Sequence, residues 1–172
     1  MAGRMTRLWR HFVTDRGDVH RAFPKDDFDR IERAVADGET RHGGQVRFAI
    51  EAALPLPRVW RHVRPRVRAL EVFGLLRIWD TEANDGVLLY ILLADHAVEI
   101  VADRGIHARV GASEWALVCR QMEDAFRRAD YEGGVVAGVQ AVTRQLALHF
   151  PADGSSANEL PDAAVVLHGG RA

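Results

Sequence analysis

The strongest constraint on the fold is a continuous apolar run from Gly86 to Ala94, GVLLYILLA. It has the length of a β-strand, and its aliphatic side chains point to both faces, so both faces must be covered by other elements. The run is far too short for a bilayer, which needs roughly 18 to 20 apolar residues. The sequence therefore predicts a central strand with helices on both sides of its sheet, and no transmembrane segment.

Other segments supply the partners of this strand. Residues 45–52 alternate in polarity, which predicts a strand with one wetter face or an edge strand. A second apolar strand, residues 98–101, follows a tight turn and predicts a hairpin. Helical spacing predicts further elements over residues 24–38, 58–78, 113–129 and 135–149. Because Pro65 lies inside the second of these, we expect it to kink the helix or to start a second one there, with the stronger helix running from Pro65 to Trp79.

The order of these elements predicts a three-layer α/β/α sandwich with a small mixed sheet. A crossover helix joins the first two strands, which should therefore be parallel, and the hairpin adds an antiparallel strand. We expect the second helical segment to bury an apolar stripe of Trp60, Val63, Val67, Leu70 and Phe73. We expect Ser113 to cap the helix that follows it.

Length and composition indicate one domain with tails. We assign residues 1–20 to an N-terminal amphipathic or frayed segment, 21–150 to the domain, and 151–172 to a mostly disordered tail with one short strand near residues 165–167. The N-terminal segment carries arginines among Leu8, Trp9 and Phe12, which indicates a short helix that docks on the domain or frays, or else touches a membrane surface.

Charge and cysteine content exclude several classes of protein. The formal net charge is −1, so no overall field attracts nucleic acid, and we expect no nucleic-acid partner. The single cysteine, Cys119, excludes an internal disulfide and a cysteine-based zinc cluster. Its apolar helical neighbours predict a core residue rather than a nucleophile.

An acidic loop precedes the central strand and is a candidate metal site. Calcium and magnesium are hard ions that bind oxygen ligands. The alternative is a solvated loop stabilised by its own aspartates. The oxygen-bearing side chains of the loop are Asp80, Glu82, Asn84 and Asp85.

Hairpin topology brings a second carboxylate to this loop. Asp85 begins the first hairpin strand and Asp103 ends the second, so an antiparallel pairing places them side by side, with Arg104 nearby. Two carboxylates and a cation are able to hold a metal ion and a phosphate oxygen together. We therefore predict Asp85 and Asp103 as metal ligands and, with Arg104, as the catalytic group of a hydrolase.

Two further residues are candidates for contacts with a phosphate or a partner. Arg68 belongs to an arginine-rich stretch, for which the alternative is the wet face of an amphipathic helix. His42 lies in a glycine loop and is a candidate ligand or acid–base group, with a structural histidine as the alternative.

Three motifs resemble the signature of the TPM domain. The run from Asn84 to Gly105 resembles its Asp/Asn-Gly-Val-Leu strand, charged hairpin turn, second strand and following glycine. Upstream, Arg68, Phe73 and Trp79 match its Arg-aromatic-Trp helix. Downstream, residues 131–138 match its aromatic-x-x-Gly run, so the resemblance covers about residues 26–150.

The resemblance implies an α/β sandwich, a phosphatase label and, for some members, a calcium or magnesium ion near the acidic loop. Many members carry a secretion signal and a membrane span or low-complexity tail. This chain departs from them in both respects, so we expect it in the cytoplasm or peripheral to the inner face of the membrane.

Two functional hypotheses follow. In the first, the domain is a divalent-cation-binding interaction module that assists a membrane or envelope partner, such as a membrane-associated protein. In the second, it is a metal-dependent phosphatase that hydrolyses phosphate monoesters through a metal-activated water. No pattern in the sequence indicates the oligomeric state.

Overall fold

The computed structural model describes residues 2–152 and 160–167. In these residues four strands form one sheet in the order β3–β2–β1–β4. The strands are β1 Val46–Glu51, β2 Val87–Leu92, β3 Ala97–Ala102 and β4 Val165–Leu167. β1 is parallel to β2 and to β4, whereas β2 and β3 form the predicted antiparallel hairpin.

The helices of the described residues lie before, between and after the strands. They are α1 Ala2–Val13, α2 Arg16–Ala22, α3 Lys25–Glu39, α4 Leu56–Trp60, α5 Pro65–Leu75, α6 Arg104–Val110, α7 Ala112–Arg127 and α8 Tyr131–His149. Pro65 begins α5, as predicted, because proline tolerates the first helical turn. The sequence did not predict the short helices α2 and α6, whereas α4 overlaps the start of the helical segment predicted over residues 58–78.

Side chains on the two faces of the sheet enter two separate apolar cores, which confirms the three-layer sandwich. On one face, Phe48 and Leu89 pack in a core with residues of α2, α3, α7 and α8. On the other, Leu88 and Leu92 pack in a core with residues of α4 and α5 and with Leu8 of α1. Alternate residues of each strand thus enter opposite cores.

The expectation of a wetter face or an edge position for β1 is wrong. β1 lies between β2 and β4, and all six of its residues are buried. Its polar residues are covered because β4 closes its outer side and the helices close both faces. The sequence predicted the short strand β4, but not that it pairs with β1.

The predicted apolar stripe of α4 and α5 is also wrong. Trp60, Val67 and Leu70 are exposed, and the other two members, Val63 and Phe73, are only partly buried. The residues of α5 that face the sheet are Arg68, Ala69 and Val72. A buried ion pair made by Arg68, described below, decides this orientation.

The N-terminal helix docks on the turn of the hairpin. The Arg7 guanidinium donates hydrogen bonds to the Asp95 carboxylate, with Nη2–Oδ2 at 2.8 Å. His11 Nδ1 accepts a hydrogen bond from the Leu54 amide, and its Nε2 lies 3.1 Å from Asp95 Oδ1. Burial raises the pKa of Asp95, but the contacts with His11 and Arg7 outweigh it and hold that pKa well below its usual range.

The C-terminal helices largely agree with the sequence. In α7 the predicted residues Trp115, Val118, Met122 and Phe126 are buried and Cys119 is partly buried. Ser113 does not cap this helix, because Gly111 precedes it and Ser113 lies inside its first turn. Disorder predicted for the tail falls partly on residues 153–159 and 168–172, which lie outside the described residues.

Glu39, at the end of α3, is a half-buried carboxylate, and the pH dependence of stability tests its burial. Burial raises its pKa from 4.5 to about 7, although the amide of Val46 opposes the shift by donating a hydrogen bond to Oε1. Between about pH 4.5 and pH 7 the folded state thus holds a proton that the unfolded state releases. We expect the contribution of Glu39 to the free energy of unfolding to decrease as pH rises through this range.

Urea unfolding across this range, on the wild type and on Glu39→Gln, measures the effect. Glutamine keeps an oxygen acceptor for Val46 but does not titrate, so the variant should lose part of the decrease with pH. Glu114→Gln, at an exposed glutamate of α7, serves as the control. Identical pH profiles for the wild type and Glu39→Gln would show that Glu39 is not buried in this way.

Candidate functional site

The segments that carry Asp85 and Asp103 run side by side at one end of the hairpin. The Asp103 amide donates a hydrogen bond to the Gly86 carbonyl at 2.8 Å, and the Ile106 amide approaches the Asn84 carbonyl at 3.3 Å. Asp85 is 2% exposed and Asp103 is 7% exposed. The backbone segments that carry these two buried carboxylates therefore lie side by side, as hairpin topology predicted.

Two glycines allow this close approach. A Cβ on Gly86 would lie 2.2 Å from the Ile78 carbonyl oxygen. A Cβ on Gly105 would lie 2.6 Å from the carbonyl oxygen of Asn84 and 2.9 Å from that of Ala83. A side chain at either position would collide with these carbonyl oxygens, so the two glycines allow the loop to pack closely against the start of β2 and against α6.

The loop before β2 has its own internal support. Asn84 adopts a left-handed conformation with φ of 55°, which asparagine tolerates better than most residues. The next amide, that of Asp85, donates a hydrogen bond to Thr81 Oγ1 at 3.2 Å. These contacts turn the chain so that Asp85 is buried just before β2 while Glu82 and Ala83 remain exposed.

Asp103 uses only one of its carboxylate oxygens. Oδ1 accepts a hydrogen bond from the Arg104 amide at 2.6 Å and so caps α6. Oδ2 is buried and has no hydrogen-bond partner in the described part of the chain. An aspartate before a helical segment is a capping signal, so the sequence does contain a cue for α6, although no helix was predicted there.

The remaining residues of the acidic loop lie further out. Asp80 is exposed and pairs with Arg77, and Glu82 is exposed. Asn84 and Arg104 line an open hollow of about 400 Å³ together with Ala83 and Gly105. In residues 2–152 and 160–167, no group of three or more His, Cys, Asp or Glu side chains is placed to hold a metal ion.

His42 precedes β1 and therefore lies at the same end of the sheet as Asp85, but it is buried. Its Nδ1 donates a hydrogen bond to the Gly44 carbonyl at 2.9 Å, and Gly44 lies against the backbone of Asp85. Burial lowers the pKa of His42, which favours the neutral ring. Its position supports the loop before β1 and does not expose the ring to a phosphate or a partner in solution.

Arg68 is also buried, with 1% of its surface exposed. Its Nε lies 2.8 Å from Glu51 Oε2 and its Nη2 lies 3.2 Å from Glu51 Oε1, a bidentate ion pair. Tyr90 donates a hydrogen bond to the same Glu51 carboxylate at 2.7 Å, and Arg68 Nη1 contacts Glu71. The guanidinium is thus occupied inside the fold rather than presented to a phosphate or a partner.

The surroundings of Cys119 suit the core role predicted from its helical neighbours. Burial raises the pKa of its thiol to about 12, so the reactive thiolate is scarcely populated at neutral pH.

Comparison with known proteins identifies the fold and the family signature. The family model described as the TPM domain matches residues 18–145. The NMR structure of the BA42 protein from the psychrophilic bacterium Bizionia argentinensis sp. nov. superposes with a TM-score of 0.74. It is 24% identical, and the match covers 84% of this chain and 95% of that one, which establishes a shared fold. The comparison with curated proteins finds no match.

Within the described ranges, none of the helices combines the length and the apolar character that crossing a bilayer requires.

Replacing Arg68 tests whether its ion pair with Glu51 stabilises the fold. Arg68→Met leaves the Glu51 carboxylate buried without its cation, so we expect the free energy of unfolding to fall by about 3–5 kcal/mol. Arg68→Met combined with Glu51→Gln should recover part of the loss, because no unpaired charge remains and glutamine still accepts from Tyr90. Chemical denaturation of the three proteins measures these differences.

Arg77→Met is the matched control, because Arg77 forms an exposed pair with Asp80 and should contribute no more than about 1 kcal/mol. An Arg68→Met protein as stable as the wild type would contradict the internal role.

Proposed function

This chain belongs to the TPM domain family, and from that premise we propose that it is a divalent-cation-binding interaction module that assists a membrane-associated partner. The cation is bound at the end of the hairpin by Asp85 and Asp103. The observation that carries the proposal is the pair of buried carboxylates on adjacent backbone segments, where Asp103 has an oxygen that accepts no hydrogen bond from the described residues.

The available ligands suit a hard cation. Asp85 and Asp103 supply carboxylate oxygens, and the glycine at position 105 leaves the Ala83 and Asn84 carbonyls close by. Calcium takes six to eight oxygen ligands and magnesium keeps several waters, so water molecules complete the coordination in either case. With only two carboxylates buried here, magnesium or weakly bound calcium fits the donor set.

The free-energy cost of the unpaired Asp103 oxygen also favours a cation at this position. A buried polar oxygen that accepts no hydrogen bond costs about 1–3 kcal/mol, more when it is charged. A cation bound at Asp103 Oδ2 would remove that cost. The acidic rim of the loop, Asp80 and Glu82, would attract the cation to the site.

The same geometry favours a binding role over hydrolysis. Of the candidate groups for phosphate chemistry, His42 and Arg68 are buried and engaged in internal contacts. Arg104 is exposed beside the hollow, where its Nη2 lies 3.5 Å from Asn84 Oδ1, and an anionic group of a partner would be able to reach it. Cation binding would order the loop and reduce its negative charge, which would make partner binding depend on the cation.

Thermal unfolding with and without calcium or magnesium tests the cation site. At a free cation concentration about 100 times the dissociation constant, binding stabilises the folded state by about 2.7 kcal/mol. For a chain of this length that corresponds to a rise in Tm of about 5–10 °C. Asp103→Asn should abolish most of this rise, because asparagine still caps α6 but lacks the charge that binds the cation.

Asp124→Asn is the control, since Asp124 is an exposed residue of α7 that pairs with Arg127. It should keep the full response to the cation. An equal rise in Tm for the wild type and Asp103→Asn, or no rise with either metal, would overturn the cation site.

Hydrolysis of p-nitrophenyl phosphate in the presence of each metal separates the two functional hypotheses. We expect no metal-dependent turnover. Metal-dependent turnover that disappears in Asp85→Asn and persists in Asp124→Asn would establish the metal-dependent phosphatase instead.

A further inference from the structure

Two segments without any acidic residue pack against each other on one side of the domain. Residues 1–14 contain three arginines, residues 52–70 contain five, and neither segment contains Asp or Glu. The first segment includes α1, and the second includes α4 and the beginning of α5, with α1 in contact with α4. Five of these eight arginines pair with carboxylates of neighbouring segments, so an excess of positive charge on this layer depends on the others.

The α1 helix leaves an apolar stripe exposed although it docks through its other side. Met5, Trp9 and Phe12 are spaced four and three residues apart, which places them on one helical face. They are 67%, 63% and 67% exposed, and the rings of Trp9 and Phe12 lie 5.9 Å apart. The opposite side of the helix carries Arg7 and His11, which contact Asp95.

A basic turn lies beside this helix. Arg7 Nη2 donates a hydrogen bond to the Val63 carbonyl at 2.7 Å, which places the α4–α5 turn next to α1. Arg61 and Arg64, on either side of Val63, are both exposed. Unlike Arg58, Arg66 and Arg68, which contact acidic residues, these two have no ion-pair partner in the described part of the chain.

From this arrangement we propose that the exposed stripe of α1 and the basic α4–α5 turn together bind the surface of an anionic lipid bilayer. Aromatic and apolar side chains on one helical face insert at the headgroup–acyl boundary. Exposed arginines beside them attract anionic headgroups. Neither segment itself contributes an acidic side chain that such a surface would repel.

This surface is distinct from the proposed cation site. α1 docks at the turn end of the hairpin, whereas Asp85 and Asp103 lie at its other end, about 20 Å away for strands of this length. The two proposals therefore fail independently. Asp103→Asn should retain lipid binding.

Cosedimentation of the full chain with vesicles tests the proposal. Vesicles of phosphatidylcholine mixed with phosphatidylglycerol should bind the protein, and vesicles of phosphatidylcholine alone should bind at least about tenfold less. Raising the salt concentration should weaken binding to the anionic vesicles. The fluorescence of Trp9 should shift to the blue as its ring leaves water, a shift that is absent from Trp9→Ser.

Two pairs of variants separate the apolar and charged contributions. Trp9→Ser combined with Phe12→Ser should reduce binding about tenfold or more, and Arg61→Gln combined with Arg64→Gln should do the same. The controls are Leu148→Ser, at an exposed leucine of α8 that is 72% accessible, and Arg120→Gln combined with Arg144→Gln, at exposed arginines of α7 and α8. Both controls should bind as the wild type does.

All the replaced side chains are exposed, so we expect every variant to fold. Thermal unfolding of each variant checks this. Equal binding to neutral and anionic vesicles, or no binding to either, would overturn the proposal. So would loss of binding in the controls equal to that in the α1 variants. Self-association that disappears in the Trp9→Ser and Phe12→Ser variant, without lipid binding, would identify the stripe as a contact between copies of the chain instead.

Discussion

The buried ion pair between Glu51 and Arg68 is the interaction on which the arrangement of one helical layer depends. A charge inside a protein must be matched, because desolvation of an unpaired ion costs several kcal/mol. Burial lowers the pKa of Arg68, but the hydrogen bond and charge of Glu51 outweigh it and raise that pKa overall. Tyr90 of β2 completes the cluster, so β1, β2 and α5 are joined at one point. Because Arg68 must face the sheet, Val67 and Leu70 of α5 are left at the surface.

The two ends of the hairpin show how context determines the role of a carboxylate. At the turn, Asp95 is surrounded by Arg7, Arg10 and His11 and holds the N-terminal helix in place. At the other end, Asp103 has a buried oxygen without a hydrogen bond from the described residues, beside buried Asp85. Asp95 is thus paired with arginine side chains, whereas Asp103 keeps one oxygen that is able to bind a cation. This difference is the reason the cation proposal concerns Asp103 rather than Asp95.

Elements with a local pattern were predictable from the sequence, whereas elements positioned by distant partners were not. The hairpin was predictable because its first strand is continuously apolar and a short polar turn follows it. Helices α3, α7 and α8 were predictable within a few residues of their ends, apart from four at the start of α8, because their apolar spacing is regular. The inward face of α5 was not predictable. The spacing of its apolar residues favours burying Val67 and Leu70, whereas the structure buries Arg68 instead. The interior position of β1 was not predictable either, because β4 lies more than a hundred residues further along the chain.

By itself, the sequence determined the three-layer architecture and the adjacency of Asp85 and Asp103. An apolar strand must be covered on both faces, and an antiparallel hairpin necessarily pairs its open ends. Only the tertiary structure decided which polar residues remain available for function. Arg68 and His42 resemble surface groups in the sequence, but each is buried by contacts that no local pattern encodes. The docking of α1 is the same kind of result, since Arg7 and Asp95 are 88 positions apart and their contact leaves Trp9 and Phe12 facing solvent.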